Sequence, residues 1–324
     1  MTGSLALEFN GDMVAPSIVV GLGLAGIYGL IAVAVVLSFR ISRTVAFVHG
    51  GILLLGTLIY WYFTPPLGGM AALEGSEGTR GPILGHWPAL IVCVLLGVVI
   101  AVGYGMAITS ERLSSYPKVT LTTFSLGIML ILAGIAFTVV EAQGELVDSV
   151  FGAKTFNFMG GYMSSHDVAT LVILGALVVG FNIVIKSTRF GIYMRAIADN
   201  VEASRLVGVP MGKVGIAVYA MSGAISALSG VLLASTVGTD RIAVLLVFLR
   251  ALMICVIGAF GSIPLALIGA VVIASLENIL TAQVFGDLGT GGTELVIIGV
   301  LFGVVFMIDR FGNKGKQVLE SESM

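Results

Sequence analysis

Charge is what this chain has least of. Only 10% of its 324 residues are charged, against about a quarter in soluble domains, so an ordinary water-soluble globule is excluded. Its two cysteines, Cys93 and Cys255, lie inside apolar runs and read as small buried hydrophobes, not as a disulfide or metal ligands. There are three histidines. His49 has no Cys, His or carboxylate at ligand spacing, which excludes a metal site there and leaves a hydrogen-bonded residue at a helix entrance; His86 and His166 are expected on the surface. No G-x-x-x-x-G-K-[ST] loop occurs, and the stretch Gly312 to Gln317 does not satisfy one. Zinc-protease motif, nucleophile elbow and intramembrane carboxylate cluster are missing as well. The chain is therefore not expected to be an enzyme, to hold a cofactor or metal of its own, or to bind nucleic acid.

What is present is apolar sequence: 57% hydrophobic residues and 44 glycines, with a mean hydropathy of +1.09. Backbone polar groups left unpaired in lipid are costly, so each apolar run of about 20 residues predicts a helix. Such runs cover 17–39, 45–63, 88–108, 120–140, 169–185, 215–235, 243–260, 265–280 and 295–308. The first is not preceded by a cationic stretch and reads as a retained span, not a secretory signal. The last three are short, and Gly-Ser-Ile-Pro at 261–264 interrupts the chain between two of them. The expectation is an all-α polytopic membrane protein, a single domain over 1–324, with eight or nine crossings and one helix broken or re-entrant. The acidic end of the tail at 311–324 is expected to be disordered.

Sorting Lys and Arg by alternate connections gives twelve on one side, including Arg40, Arg43, Lys118 and Arg310, and three on the other, Arg80, Lys154 and Arg241; Arg250 falls within a span. The positive-inside rule makes the twelve-charge side cytoplasmic. Nine crossings then place the N-terminus outside and the C-terminus inside. The outward connections, 64–87 and 141–167, carry Glu74, Glu77, Glu141, Glu145, Asp148 and Asp167, and read as a solvated cap or a docking surface.

The largest cytoplasmic connection, 186–214, is a polar island between apolar runs, RFGIYMRAIADNVEASRLVGVPMGK from Arg189 to Lys213. Asp199, with Glu202 three residues on, predicts an N-cap and capping box for a short helix from Asn200 to Val207. Gly208 and Pro210 stop it.

Three stretches, which follow one another along the chain in the family's order, resemble one family. Glu202-Ala203-Ser204 followed by Gly208 is similar to the EAA-x-x-x-G pattern of ABC importer permeases. The string RAIADNVEASRLVGV and then SGAISALSGVLLAS, Ser222 to Ser235, looks like the branched-chain amino acid permeases in particular, and more like the shorter of that family's two permease subunits. Ala46-Phe47-Val48-His49-Gly50 resembles the family's Asn-Phe-Ala-His-Gly box, and GAFGSIPLALIGAVVIASLE, Gly258 to Glu277, its GGxGSIPGAxxGG…LE box. The likeness runs from about residue 20 to about 310. It implies the permease architecture of an ABC importer in the cytoplasmic membrane of a prokaryote, paired with a second homologous permease. It further implies two ATPase subunits carrying ATP and Mg²⁺, an extracytoplasmic substrate-binding protein, and a coupling role for Asp199, Asn200, Glu202, Ala203, Ser204, Arg205 and Gly208. The architecture serves branched-chain and other hydrophobic amino acids, urea, short amides and, more distantly, nucleosides and sugars. Two departures, Ala46 for Asn and Leu265 for Gly, weaken transfer of the leucine-type specificity. A secondary transporter or channel working alone is the competing class; it needs coupling-ion ligands within spans, and apart from Glu277 no carboxylate sits deep enough.

Four residues are candidates for the translocation path. His49 belongs to the family's box. Ser222 and Ser226 belong to a stripe of small residues with Gly230 and Ala234, one of several at four-residue spacing; Gly21, Ala25, Gly29 and Ala266, Ala270, Ala274 are others. Small residues at this spacing mostly serve close helix packing, and a path lining is the alternative for the serines. Arg250 is costly at membrane depth and requires a partner; Glu277, Asp240 and carbonyls at the break near Gly258 are within reach, and a station for a substrate carboxylate is the other reading.

Overall fold

The computed structural model describes residues 13–64, 84–110, 116–139, 145–152, 154–158 and 160–283, together with single positions 113, 296, 299 and 303. The elements run α1 (Val14–Ser42), α2 (Val48–Phe63), α3 (His86–Thr109), α4 (Lys118–Val139), β1 (Thr155–Phe158), β2 (Gly161–Ser164), α5 (Ser165–Ser187), α6 (Arg189–Asp199), α7 (Val201–Leu206), α8 (Met211–Ala234), α9 (Arg241–Ile257) and α10 (Ile263–Gln283). Six of these helices are long and apolar enough to cross a membrane, and α2 is a shorter apolar one. The predicted span 295–308 and the tail at 311–324 lie outside the described residues.

Helix α1 is the axis. Nineteen of its residues from Ser17 to Ile41 are buried, and α5, α8, α9 and α10 all pack on it. The seam with α10 is made by small residues. A Cβ on Gly21 would lie 2.9 Å from the Ala274 carbonyl, and Ala266, Ala270 and Ala274 are buried. In lipid no hydrophobic force joins helices, so such close approach supplies the packing energy. Both small-residue stripes of this pair are packing seams.

Helix α8 is wedged between α2 and α3 in the same way. A Cβ on Gly56 would meet the Ala227 carbonyl at 2.8 Å, and one on Gly97 would meet the Gly223 carbonyl at 2.9 Å. Gly230 lies against the Leu53 carbonyl and the Thr57 amide, where Thr57 donates from Oγ1 to the Gly230 carbonyl at 2.9 Å.

The interruption at 261–264 is a tight reversal between two antiparallel helices. Ala259 and Phe260 both take left-handed φ, 48° and 53°, a conformation that L-residues adopt only when neighbours enforce it. Here Phe260 donates to the Cys255 carbonyl at 2.8 Å and packs on Phe39, rings 4.9 Å apart. Arg40 at the end of α1 donates to the Gly261 carbonyl from Nη2 at 2.6 Å. With α9 and α10 both complete, the described residues hold six helices long enough to cross and two shorter bundle helices, α2 and α9.

One element departs from the all-helical expectation. Strands β1 and β2 form an antiparallel hairpin, Thr155 opposite Ser164, seated on α1 where Gly161 leaves no room for a side chain beside Val19 and Pro16. Within the connections assigned outward by charge, it is the hinge into α5.

Candidate functional site: the α6–α7 arm and the polar groups of the bundle

The arm between α5 and α8 is held at its root and free at its tip. At the root, the Thr188 side chain caps α6 by accepting from Gly191 N at 3.1 Å, while Met194 and Ile197 are buried against α1 and α5. Arg43, in a left-handed conformation at the end of α1, donates to the Ala198 carbonyl. A small cavity of about 190 Å³ remains at this junction, with Arg40, Arg43, Arg195 and Asp199 in its wall.

At the tip, the cap of α7 is Asn200 and not Asp199. The Asn200 Oδ1 accepts from Ala203 N at 3.0 Å, whereas Asp199 is the last residue of α6. The reason is continuity: α6 runs up to Asp199, so the first non-helical backbone available to cap the next helix belongs to Asn200, with φ −151°. Glu202 lies in the first turn of α7, where its charge suits the helix N-terminus. The far end closes as a Schellman motif. Gly208 takes φ +79°, Gly208 N donates to Arg205 O at 3.1 Å and Val209 N to Ser204 O at 3.0 Å. Ser204 is buried and bonds the Asn200 carbonyl at 2.8 Å. Glu202, Ala203, Arg205 and Gly208 are exposed, and so are two apolar side chains, Leu206 at 89% and Val207 at 77%. A six-residue helix with rigid ends thus presents a carboxylate, a guanidinium and two aliphatic groups to solvent.

The bundle sorts the cations by end. Arg40, Arg43, Lys118, Lys186 and Lys213 lie at the ends of α1, α4, α5 and α8 that adjoin the arm; Lys154 and Arg241 lie at the opposite end. Arg80, Arg112, Arg310, Lys314 and Lys316 are outside the described residues.

Arg250 sits at mid-span and is paired. Its Nη1 lies 2.8 Å from Glu277 Oε1 and donates to the Tyr28 hydroxyl at 3.0 Å. Tyr28 in turn donates to Glu277 Oε2 at 2.9 Å. This closed triangle ties α9 and α10 to α1, with both charged side chains 13% exposed. Of the partners weighed from sequence, Glu277 is the one used. Tyr28 was missed, and its signal was plain: a tyrosine buried in a span needs a partner for its hydroxyl.

His49 and Ser226 meet inside the bundle, His49 Nδ1 to Ser226 Oγ at 3.0 Å, and Phe248 covers Gly50. Ser222 donates to the Tyr219 carbonyl at 3.1 Å. All three are wholly buried, so α8 turns its hydroxyls towards α2 and its own backbone. Arg250 is not brought to this cluster by any contact described.

At the end opposite the arm, several polar side chains of the described residues are bonded within the chain. Trp61 Nε1 donates to Glu145 Oε2 at 2.9 Å, and Glu145 N to Thr239 Oγ1 at 2.9 Å. Asp167 and Ser164 form a full capping box for α5. His166 is not a surface residue: it is buried, 3.0 Å from the Leu232 carbonyl through Nε2. A carbonyl can only accept, so Nε2 carries the hydrogen and Nδ1 faces the Ser149 hydroxyl at 2.7 Å. His86 is half-buried, its Nδ1 2.9 Å from the Tyr60 hydroxyl.

Against known proteins, the pattern of the family described as "Branched-chain amino acid transport system / permease component" matches residues 17–308. The chain is 23% identical to the high-affinity branched-chain amino acid transport system permease protein BraD of Pseudomonas aeruginosa, over 82% of this chain and 86% of the relative. It is also 23% identical to LivH of Escherichia coli K12, of the same description, over 93% and 95%. The L-arabinose transport system permease protein AraH of that organism is 25% identical over 62% of this chain and 61% of its own length. No solved structure matches.

Proposed function

The chain belongs to the branched-chain amino acid transport system permease family, and on that premise we propose that it is the membrane subunit of an ATP-driven importer for a small solute. A branched-chain or other hydrophobic amino acid is the favoured cargo, because the relatives that span this chain nearly end to end are described as permeases for branched-chain amino acids. Urea, a short amide or a sugar is the second reading; the arabinose permease supports it, as does Ala46 in place of the family box's Asn.

The observation that carries the reading is the tip of the arm, a capped and Schellman-closed helix with Leu206 and Val207 exposed. Exposed aliphatic groups beside an opposite-charge pair suit a protein groove and not water. In this account the groove belongs to an ATPase. Movement of the ATPases displaces α7, and because α6 is anchored to α1 and α5, the displacement passes to the spans. Work enters at Glu202, Ala203, Arg205 and Gly208, with Asp199, Asn200 and Ser204 shaping the helix that receives it. The cation-rich end is cytoplasmic by the positive-inside rule, which puts the N-terminus outside and, with the expected ninth span at 295–308, the C-terminus inside. A second permease and a substrate-binding protein complete the assembly. His49, Ser222 and Ser226 act as interior supports of the α2–α8 wall of the path, and Arg250 as a structural ion beside it.

The test is uptake and ATPase activity of the reconstituted complex. Glu202→Ala and Arg205→Glu are expected to lower uptake at least about tenfold while the chain stays assembled in the membrane. Normal uptake in both variants overturns the assignment of the arm.

A further inference from the structure

A second cavity, about 450 Å³, opens beside the arm between the end of α3 and the start of α4. Its wall carries three cations from three separate elements, Arg43 at the end of α1, Lys118 at the start of α4 and Arg205 on α7, with Tyr116 and the carboxylate of Glu202. Among the described residues that line it, the surplus of positive charge is two. The coupling reading uses Arg205 but requires neither Arg43 nor Lys118 here, nor a cavity on this side of the arm.

The surroundings say what kind of anion fits. Helix α3, whose Ile108 and Thr109 line the cavity, exposes Met106 (52%), Val99 (65%), Leu95 (59%) and Ile91 (55%) along its length. Helix α4, whose Lys118 and Leu121 line it, exposes Val119 (77%) and Leu130 (62%). The two helices touch through the rings of Tyr104 and Phe124, 6.3 Å apart. A cationic chamber at the ends of two helices, both of which expose apolar side chains along their length, has the form of a phospholipid site. The head is held by charge and the chains by those apolar side chains.

We infer that this chamber binds the phosphodiester headgroup of an anionic phospholipid, with Arg43, Lys118 and Arg205 as its ligands and the acyl chains laid along α3 and α4. A free phosphate monoester shares the headgroup chemistry but leaves the exposed apolar side chains unused. Because Arg205 stands on α7, a bound lipid would also brace the arm from its membrane side. The inference concerns the chamber alone and stands whether or not α7 contacts an ATPase.

The experiment is native mass spectrometry of the purified, delipidated full chain, given phosphatidylglycerol or phosphatidylcholine at equal concentration. Phosphatidylglycerol should be retained preferentially. Each cation removed, in Lys118→Gln and in Lys118→Gln/Arg205→Gln, should weaken that retention about fivefold and leave phosphatidylcholine unaffected. Both side chains are exposed at the surface, so both variants should melt as the parent does, and the single variant suffices if the double one does not. Equal retention of the two lipids, or retention indifferent to both variants, overturns the inference. Displacement of phosphatidylglycerol by an equal concentration of soluble glycerol 3-phosphate overturns the lipid assignment in favour of a free phosphate.

Discussion

The two ends of the bundle use polar side chains in opposite ways. At the end away from the arm, Glu145 holds Trp61, Asp167 caps α5, and His166 bridges Ser149 to the Leu232 carbonyl. These groups are bonded within the chain. At the arm, the backbone is closed with equal care by Asn200 and Gly208, yet Glu202, Arg205, Leu206 and Val207 project into solvent. The first pattern is a lid that holds helices together, and the second is a rigid handle with its grip left open. Polarity alone does not distinguish a structural end from a docking end; what each side chain is bonded to does.

That contrast can be broken at several depths. The largest effect is expected in the glycine seams, which both ends depend on. Gly230→Leu drives a side chain into the backbone of α2 at Leu53 and Thr57, and should abolish recovery of folded, monodisperse protein in size-exclusion chromatography. Full recovery would mean that α8 is not wedged between α2 and α3.

Next comes the Tyr28–Arg250–Glu277 triangle. Arg250→Ala leaves Glu277 at mid-span without its counter-ion, a change that typically costs about 3 to 5 kcal/mol when a buried pair is broken. The melting temperature of the solubilised protein should fall whatever solute is present, and Arg250→Lys should retain most of it. An unchanged melting temperature together with abolished uptake would move Arg250 into the substrate path.

The smallest effect belongs to the handle itself. Asn200→Ala removes one cap from a solvent-exposed helix, a loss of about 1 kcal/mol that should not shift global melting. It should speed amide hydrogen exchange at Ala203, where the lost bond ended. Asp199→Ala should leave that exchange unchanged, which separates the observed cap from the one the sequence suggested.

That cap shows where legibility stops. Apolar run length located the eight bundle helices of the described residues to within a few residues, because hydrogen bonding in lipid leaves little choice but helix. It did not place helix starts: α2 begins at Val48, not at 45, since the chain first turns through Arg43 to Phe47 and donates Phe47 N to Ser125 Oγ. The Asp-x-x-Glu spacing suggested Asp199 as cap, but spacing does not reveal that α6 already claims that residue. Four-residue repeats of small side chains correctly marked packing seams in α1 and α10, while the partner of each seam had to come from the fold. The hairpin at 155–164 was not legible because its strands are only four residues long: Thr-Phe-Asn-Phe alternates, but over too short a run, and Gly-Tyr-Met-Ser does not alternate. Glu277 was legible as a partner for Arg250 because few carboxylates lie at that depth; Tyr28 was not sought, being counted as apolar.

The central claim is that the end bearing the arm receives the ATPase and the opposite end does not. The most direct measurement places a photo-crosslinking amino acid at Leu206, and in a separate chain at Phe158 on the hairpin, in membranes carrying the whole transporter. The account predicts a crosslink from Leu206 to the ATPase subunit and none from Phe158. A crosslink to the ATPase from Phe158, with none from Leu206, would contradict it.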